Sequence, residues 1–188
     1  MANVNHSSLT DPYLHEPKGV ASANANEVYV ANGSGSGVWK PHHQFVGAYL
    51  AFDATTPAYT HSATTSPTVI SPTLVTSVVD GFTVTNSPNA RLVYSNTVDI
   101  NAQITITLSS KQASGSDKEV EWLIYKNGVA IPGAHTIRTI STGDWGSISV
   151  TGFVSLTPND YIEVYSKKSS AGNVQYASSF WSIVGAPA

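Results

Sequence analysis

The sequence predicts an all-β protein: a jelly-roll or related β-sandwich over residues 45–188 that follows an extended N-terminal arm over residues 1–44. Two observations indicate this fold class. About eight to ten short apolar stretches follow one another at intervals of roughly 8–12 residues, with turn-forming residues between them. No stretch keeps the 3.6-residue period of an amphipathic helix for more than one turn.

The arm is polar and rich in Gly and Asn. Its Gly-Ser-Gly-Ser-Gly run at residues 33–37 has no apolar periodicity, so we expect a flexible joint after an isolated apolar triplet at residues 28–30. Residues 11–19 differ, because Pro12 and Pro17 bias the neighbouring chain toward an extended conformation. This stretch is predicted to lie in a groove of a partner protein, and a disordered tail is the alternative.

The sandwich begins with a continuous apolar run at residues 45–52, which is rich in aromatics and too short for a typical helix, and which we interpret as a buried strand. Residues 53–77 contain three prolines, and their short apolar pairs predict edge strands. The dipeptide Asp80-Gly81 stands between β-branched and aromatic residues. This pattern is the signature of a hairpin turn.

The later strands are predicted from alternation and turn chemistry. Ala102, Ile104, Ile106 and Leu108 alternate with polar residues, as in a strand with one buried face. Residues 120–125 are apolar on both faces and end at a tight turn, Lys126-Asn127-Gly128. Further strands are predicted at residues 92–94, 148–154, 161–165 and 174–184.

Charge is sparse and excludes several protein classes. Only 11% of the residues are charged, against roughly 25% in ordinary domains, and nine Lys and Arg are outnumbered by twelve Asp and Glu. Nucleic acid is therefore not an expected partner. With no cysteine, a disulfide scaffold and a thiol nucleophile are excluded. No apolar run approaches the roughly 18 residues that cross a bilayer, and no signal peptide is visible, so we expect a soluble protein made in the cytoplasm.

Catalytic signatures are absent from the sequence. There is no P-loop, nucleophile elbow or His-Glu-x-x-His motif. The pair His42-His43 could bind a metal shared between several chains, but neighbouring strand residues point to opposite faces, which favours polar residues at the base of the first strand. We predict a non-enzymatic protein with no cofactor. Four carboxylates are interpreted as turn residues that bind their own backbone: Asp99, Asp117, Asp144 and Asp160.

Aromatic residues are abundant. Nine Tyr and four Trp stand beside five Phe, which is more than one small core requires. Tyr and Trp are favoured at interfaces, and a strand that is apolar on both faces implies that another subunit covers its outer side. Plain core aromatics are the alternative. The predicted subunit-interface residues are Trp122, Tyr161, Tyr165, Tyr176, Phe180 and Trp181.

Residues 78–184 resemble the C1q/TNF-like jelly-roll module found in many phage virion proteins. Its last motif is similar to the family pattern Leu-x-x-Gly-Asp-Tyr-Ile, with Asn159 in place of the Gly; Asn tolerates a positive φ better than most residues. The arm also looks like the lead-in of tailed-phage structural proteins, at residues 15–20 and 28–37. The corresponding jelly-roll motifs lie at residues 81–84, 91–94, 124–128 and 154–164.

The resemblance implies a homotrimer around a threefold axis and a place in the virion. We predict a decoration (cement) protein on the outer capsid surface, with the major capsid protein as its second partner. The alternative is the receptor- or carbohydrate-binding head of a phage fibre or tail-tip adhesin, in which exposed Tyr and Trp would stack on sugars. No repeat or heptad shaft precedes the sandwich, which favours decoration. The residues predicted to bind the capsid are Pro12, Tyr13, Leu14, His15, Glu16, Pro17 and Lys18.

Overall fold

The computed structural model describes residue 23 and residues 27–31, 37–50 and 57–188. These residues form fourteen β-strands and no helix. The chain divides into two compact units, residues 1–42 and 43–188. The strands of the second unit are β3 (Gln44–Leu50), β4 (Tyr59–Ala63), β5 (Thr68–Ile70), β6 (Val75–Asp80), β7 (Phe82–Thr85), β8 (Arg91–Tyr94), β9 (Ile100–Gln112), β10 (Lys118–Lys126), β11 (Val129–Ile140), β12 (Gly146–Leu156), β13 (Tyr161–Lys168) and β14 (Gly172–Pro187).

The first unit contains an antiparallel pair, β1 (Glu27–Ala31) and β2 (Gly37–Pro41). The apolar triplet at residues 28–30 is therefore not isolated, as the sequence suggested, but pairs with a second strand. Sequence reasoning missed β2 because its five residues include Gly37 and Pro41, both of which are disfavoured in strands. The predicted capsid-binding residues of the arm lie outside the described residues.

The second unit is a sandwich of two six-stranded antiparallel sheets. The β13 sheet has the order β11-β10-β13-β8-β7, with β5 paired to β13 beyond the end of β8. The β14 sheet has the order β12-β9-β14-β3-β6, with β4 paired to β14 beyond the end of β3.

The strand pairs are nested, which makes this sandwich a jelly roll. The hairpin β10–β11 is innermost, and the pairs β9–β12, β8–β13 and β3–β14 enclose it in turn. A long antiparallel hairpin folded over on itself has this connectivity, with successive pairs distributed between the two sheets. The all-β jelly-roll prediction is confirmed.

The core lies between the sheets and follows the predicted alternation. On β9, Ala102, Ile104, Ile106 and Leu108 are buried, whereas the residues between them face outward. Because every second side chain of this central strand is buried, the side chains between them define the outer face of the β14 sheet.

Of the two predicted hairpin turns, one is present and one is not, and their backbone angles differ accordingly. Asn127 and Gly128 both have positive φ, 51° and 76°, as a two-residue hairpin requires, and they join β10 to β11. At Asp80-Gly81 only the glycine has positive φ, 72°. The predicted hairpin there is wrong: β6 pairs with β3 in one sheet and β7 pairs with β8 in the other, so Gly81 forms the corner between the sheets.

Candidate functional site

The outer side of the β14 sheet is an exposed surface of apolar and small polar side chains, which we call the apolar face. It consists of the outward-facing residues of β3, β9, β12 and β14. Cross-strand register arranges them in rows, one of which runs from Phe153 through Gln103 and Val184 to Phe45. Phe153 is 73% exposed and Val184 is 55% exposed. Large apolar side chains thus face outward on several adjacent strands.

A second row brings aromatics together at the other end of the face. Phe180 of β14 lies opposite Tyr49 of β3 and Thr107 of β9. The ring of Phe180 also lies over Gly47, where an added Cβ would be 3.3 Å from Phe180 Cζ. The missing side chain at Gly47 therefore lets the ring lie close to the backbone of the neighbouring strand.

Several polar residues of the apolar face form hydrogen bonds with one another across the strands. Thr107 Oγ1 and Ser149 Oγ are 3.0 Å apart across β9 and β12, and Ser155 Oγ donates to Asn101 Oδ1 at 2.8 Å. Hydroxyls that already have partners are less costly to remove from water than unpaired ones. Among the described outward residues of these four strands, a charged side chain occurs only at one end of β9, Lys111. This composition suits burial against another apolar surface.

The outer side of the β13 sheet has the opposite character, and we call it the charged face. Glu163 is almost fully buried there, and its Oε1 accepts hydrogen bonds from Arg91 Nε at 2.8 Å and Asn89 Nδ2 at 3.1 Å. Nearby, Glu121 forms ion pairs with Lys167 at 2.8 Å and, when the imidazole is protonated, His135 at 3.0 Å. These groups on β8, β10, β11 and β13 thus compensate one another across neighbouring strands.

Tyrosine rings fill the space between these ion pairs. The rings of Tyr125 and Tyr165 stack with centroids 3.8 Å apart, and the Arg91 guanidinium lies 4.1 Å from the centre of the Tyr161 ring. Burial raises the pKa of Tyr165, and the neighbouring Glu163 carboxylate raises it further. The Tyr165 phenol therefore remains neutral at physiological pH, and its hydroxyl lies 3.5 Å from Glu163 Oε2.

Asp160 connects two turns at the end of the β13 sheet. Its carboxylate accepts hydrogen bonds from Thr157 N at 2.7 Å and Asn127 Nδ2 at 2.5 Å, and it pairs with Lys126 Nζ at 2.7 Å. Burial opposes ionisation, but these donors outweigh it and lower the pKa of Asp160 to about 2. Asn159 before it has the positive φ, 73°, that the sequence indicated.

The predicted interface residues fall in three separate places. Phe180 lies on the apolar face, and Tyr161 and Tyr165 lie on the charged face. The remaining three are buried between the sheets, where Trp122 Nε1 donates to Tyr176 Oη at 3.0 Å and Trp181 Nε1 donates to Ser179 Oγ at 2.5 Å. Trp122, Tyr176 and Trp181 have no more than 1% of their surface exposed, so their assignment to an interface is corrected to the core.

Sequence reasoning missed Phe45, Tyr49, Phe153 and Val184 as outward-facing residues. A signal for Val184 exists in the spacing of β14, where alternate residues point to opposite sides: Val184 lies on the same side as Phe180, and Trp181 and Ile183 lie on the other. The apolar run at residues 45–52 gives no such signal, because both of its faces are apolar. Which of the two alternating sets of side chains faces outward depends on which side of the strand the other sheet covers.

Two further properties bear on function. Among the residues that the structure describes, no three His, Asp or Glu side chains lie close enough to hold a metal ion. The described residues also contain no helical segment with the length and apolar character that a bilayer crossing requires.

No protein-family model matches the chain, and no curated protein matches it in sequence. Among solved structures, Eiger TNF from S. frugiperda is 11% identical with a TM-score of 0.43, and the match covers 75% of this chain and 92% of that one. Murine APRIL is 12% identical with a TM-score of 0.45, over 76% of this chain and 98% of that one. PRD1 vertex protein P5 is 11% identical with a TM-score of 0.46, over 79% and 100% of the two chains. These likenesses concern the fold alone.

Proposed function

We propose that this chain is a non-enzymatic structural protein of a phage virion, a homotrimer that decorates the outer capsid surface and stabilises the shell. Its partners are two further copies of itself and the major capsid protein, and it is made in the host cytoplasm. The observation that carries the proposal is the apolar face, an exposed surface with outward Phe45, Tyr49, Phe153, Phe180 and Val184.

Self-association follows from the chemistry of that face. Contiguous apolar surface on a sheet is costly to leave in water, and burying it against an identical surface removes the cost from all copies at once. Several hydroxyls among the apolar residues are already paired with one another, which lowers the cost of removing water from them. The resemblance of residues 78–184 to trimeric jelly-roll modules supports three copies rather than two.

Attachment to the shell is assigned to the arm. Residues 11–19 combine two prolines with Tyr13 and Leu14, an apolar pair flanked by the charges of Glu16 and Lys18. A segment that is already extended loses less conformational entropy when it binds along a sheet edge or groove. Each arm binds weakly by itself, and three arms on one trimer hold strongly because the second and third binding events are intramolecular.

The test is re-addition of purified protein to capsids from which it has been removed. The full chain is compared with Tyr13→Ala/Leu14→Ala and with Ser7→Ala/Ser8→Ala, a matched change elsewhere in the arm. We expect the first variant to occupy the shell far less than the other two chains at equal concentration. Equal occupancy by all three would reject the arm as the attachment element, and no occupancy by the full chain would reject decoration itself.

A second candidate function is a receptor- or carbohydrate-binding head, and the charged face is the observation that favours it. Tyr125 and Tyr165 supply aromatic surface there, and Arg91 supplies a hydrogen-bonding group. Such a combination suits sugar recognition. Copy number separates the two functions, because decoration requires many copies over the shell and an adhesin only a few at a tail or vertex.

A further inference from the structure

The β1–β2 hairpin presents two different surfaces. On one, the rings of Tyr29 and Trp39 meet edge-on with their centroids 5.3 Å apart across the two strands. On the other, Val30 lies opposite Val38, and Val28 lies opposite Lys40. We call the surface formed by Val28, Val30 and Val38 the valine face. Val38 is 53% exposed, and both other valines are exposed as well.

Such a hairpin cannot account for its own stability. A two-stranded sheet is marginal in water, because it buries too little apolar surface to offset the entropy of ordering its backbone. The Tyr29–Trp39 pair contributes on one surface, roughly 0.5–1.5 kcal/mol for an aromatic pair. The valine face still leaves 38–53% of each valine exposed, and this area is buried only when another surface covers it.

The connection between this hairpin and the sandwich is short. β2 ends at Pro41 and β3 begins at Gln44, so only His42 and His43 separate the two strands. A connection this short spans about 10 Å at most. Phe45, the second residue of β3, belongs to the apolar face. Where three copies meet through that face, three hairpins are therefore tethered at close range and at high effective concentration.

We infer that the valine faces of the three copies pack against one another and form a second, N-terminal contact of the trimer. The inference rests on the proposed self-association, and it names a second copy of this hairpin as the partner. The three branched valines suit such packing, since they bury area with little loss of rotamer freedom, and Lys40 lies on the same surface opposite Val28. The contact would order the hairpins and bring the bases of the three arms together on one side of the trimer.

The test uses single-cysteine variants, which are clean because the chain contains no cysteine. Val38→Cys is compared with Ile137→Cys, whose site on β11 lies opposite Glu121 and is 57% exposed, close to Val38. Each variant is first sized by light scattering and then treated with a short bismaleimide cross-linker over a range of dilutions. We expect Val38→Cys to form covalent dimers at least tenfold faster than Ile137→Cys, at a rate that does not change with dilution.

The outcomes separate this inference from the proposed function. Trimers in which Val38→Cys cross-links no faster than Ile137→Cys would overturn the packing of the valine faces and leave self-association standing. A full chain that scatters as a monomer would overturn both. As a further measurement, Val38→Lys should raise the subunit concentration at which trimers dissociate at least tenfold, whereas Ile137→Lys should leave it unchanged.

Discussion

The two outer faces of the sandwich differ in how their polar groups are compensated. On the charged face, Glu163 is paired with Arg91, and Glu121 is paired with Lys167, so these four charges have partners within their own subunit. The apolar face instead presents Phe153, Phe180 and Val184 to the surroundings. A face whose charges are balanced internally is stable in water, whereas an apolar face gains free energy only when something covers it. On the proposed function, solvent or ligands contact the first face and another subunit covers the second.

The largest effect is expected from a charge on the apolar face. Phe180→Asp should dissociate the trimer, because each interface would then bury an uncompensated carboxylate at a cost of about 3–5 kcal/mol per subunit. Sedimentation velocity at micromolar concentration measures it. Ile137→Asp is the control, since it places the same group on the outer side of the β13 sheet. If both variants dissociated to the same extent, the assignment of the subunit interface to the apolar face would be contradicted.

Trp181 is the neighbour of Phe180 on β14 but points into the core, so its removal should lower the stability of the folded subunit. Trp181→Ala should lower the free energy of unfolding by about 3–5 kcal/mol, because it leaves a cavity between the sheets. Urea unfolding at one fixed subunit concentration measures this change. Trp145→Ala, at a half-buried ring near Lys111, should cost far less. A Trp181→Ala chain of normal stability would contradict the core assignment.

On the charged face, removal of the positive partner of a buried carboxylate should lower the free energy of unfolding. Arg91→Ala leaves Glu163 without its ion pair in an almost fully buried position, and we expect a loss of about 3 kcal/mol in unfolding free energy. Lys167→Ala removes a more exposed partner of Glu121 and should cost less than about 1 kcal/mol. Both variants should remain trimers. Dissociation of Arg91→Ala would place part of the interface on the charged face.

The smallest effect concerns pH. Because the folded pKa of Asp160 is about 2, below the ordinary value of 3.8, its contribution to stability is complete above the unfolded pKa and is lost as the pH falls toward 2. This contribution is about 2 kcal/mol. Stability of the wild type should therefore fall more steeply than that of Asp160→Asn between about pH 5 and pH 2. Thermal unfolding across this range measures it.

Asp144→Asn is the matched control for the pH series, because Asp144 is exposed on a turn. Its stability should follow the wild-type curve throughout. Parallel curves for the wild type and Asp160→Asn would show that the contacts of Asp160 with Lys126 and Thr157 do not stabilise the folded state.

Much of the fold could be predicted, because local chemistry determined it. The alternation around Ile104 and Ile106 identified a strand with one buried side, and Asn127-Gly128 identified a hairpin, since two consecutive residues there accept positive φ. The hairpin prediction at Asp80-Gly81 was wrong, because this dipeptide permits a turn without specifying whether the next strand belongs to the same sheet. That choice depends on pairing with β3 and β8, which are distant in sequence.

The candidate site was harder to predict than the fold. A count of aromatics indicated that some of them serve an interface, but it could not separate Trp181 from Phe180, which are adjacent in the chain and lie on opposite sides of one strand. Phe45 and Phe153 lie far apart in sequence and meet in one row only through β9 and β14. The sequence by itself determined the strands, their turns and the scarcity of charge, because these depend on neighbouring residues. Only the tertiary structure decided which side of each strand faces outward, because that depends on which sheet covers the other.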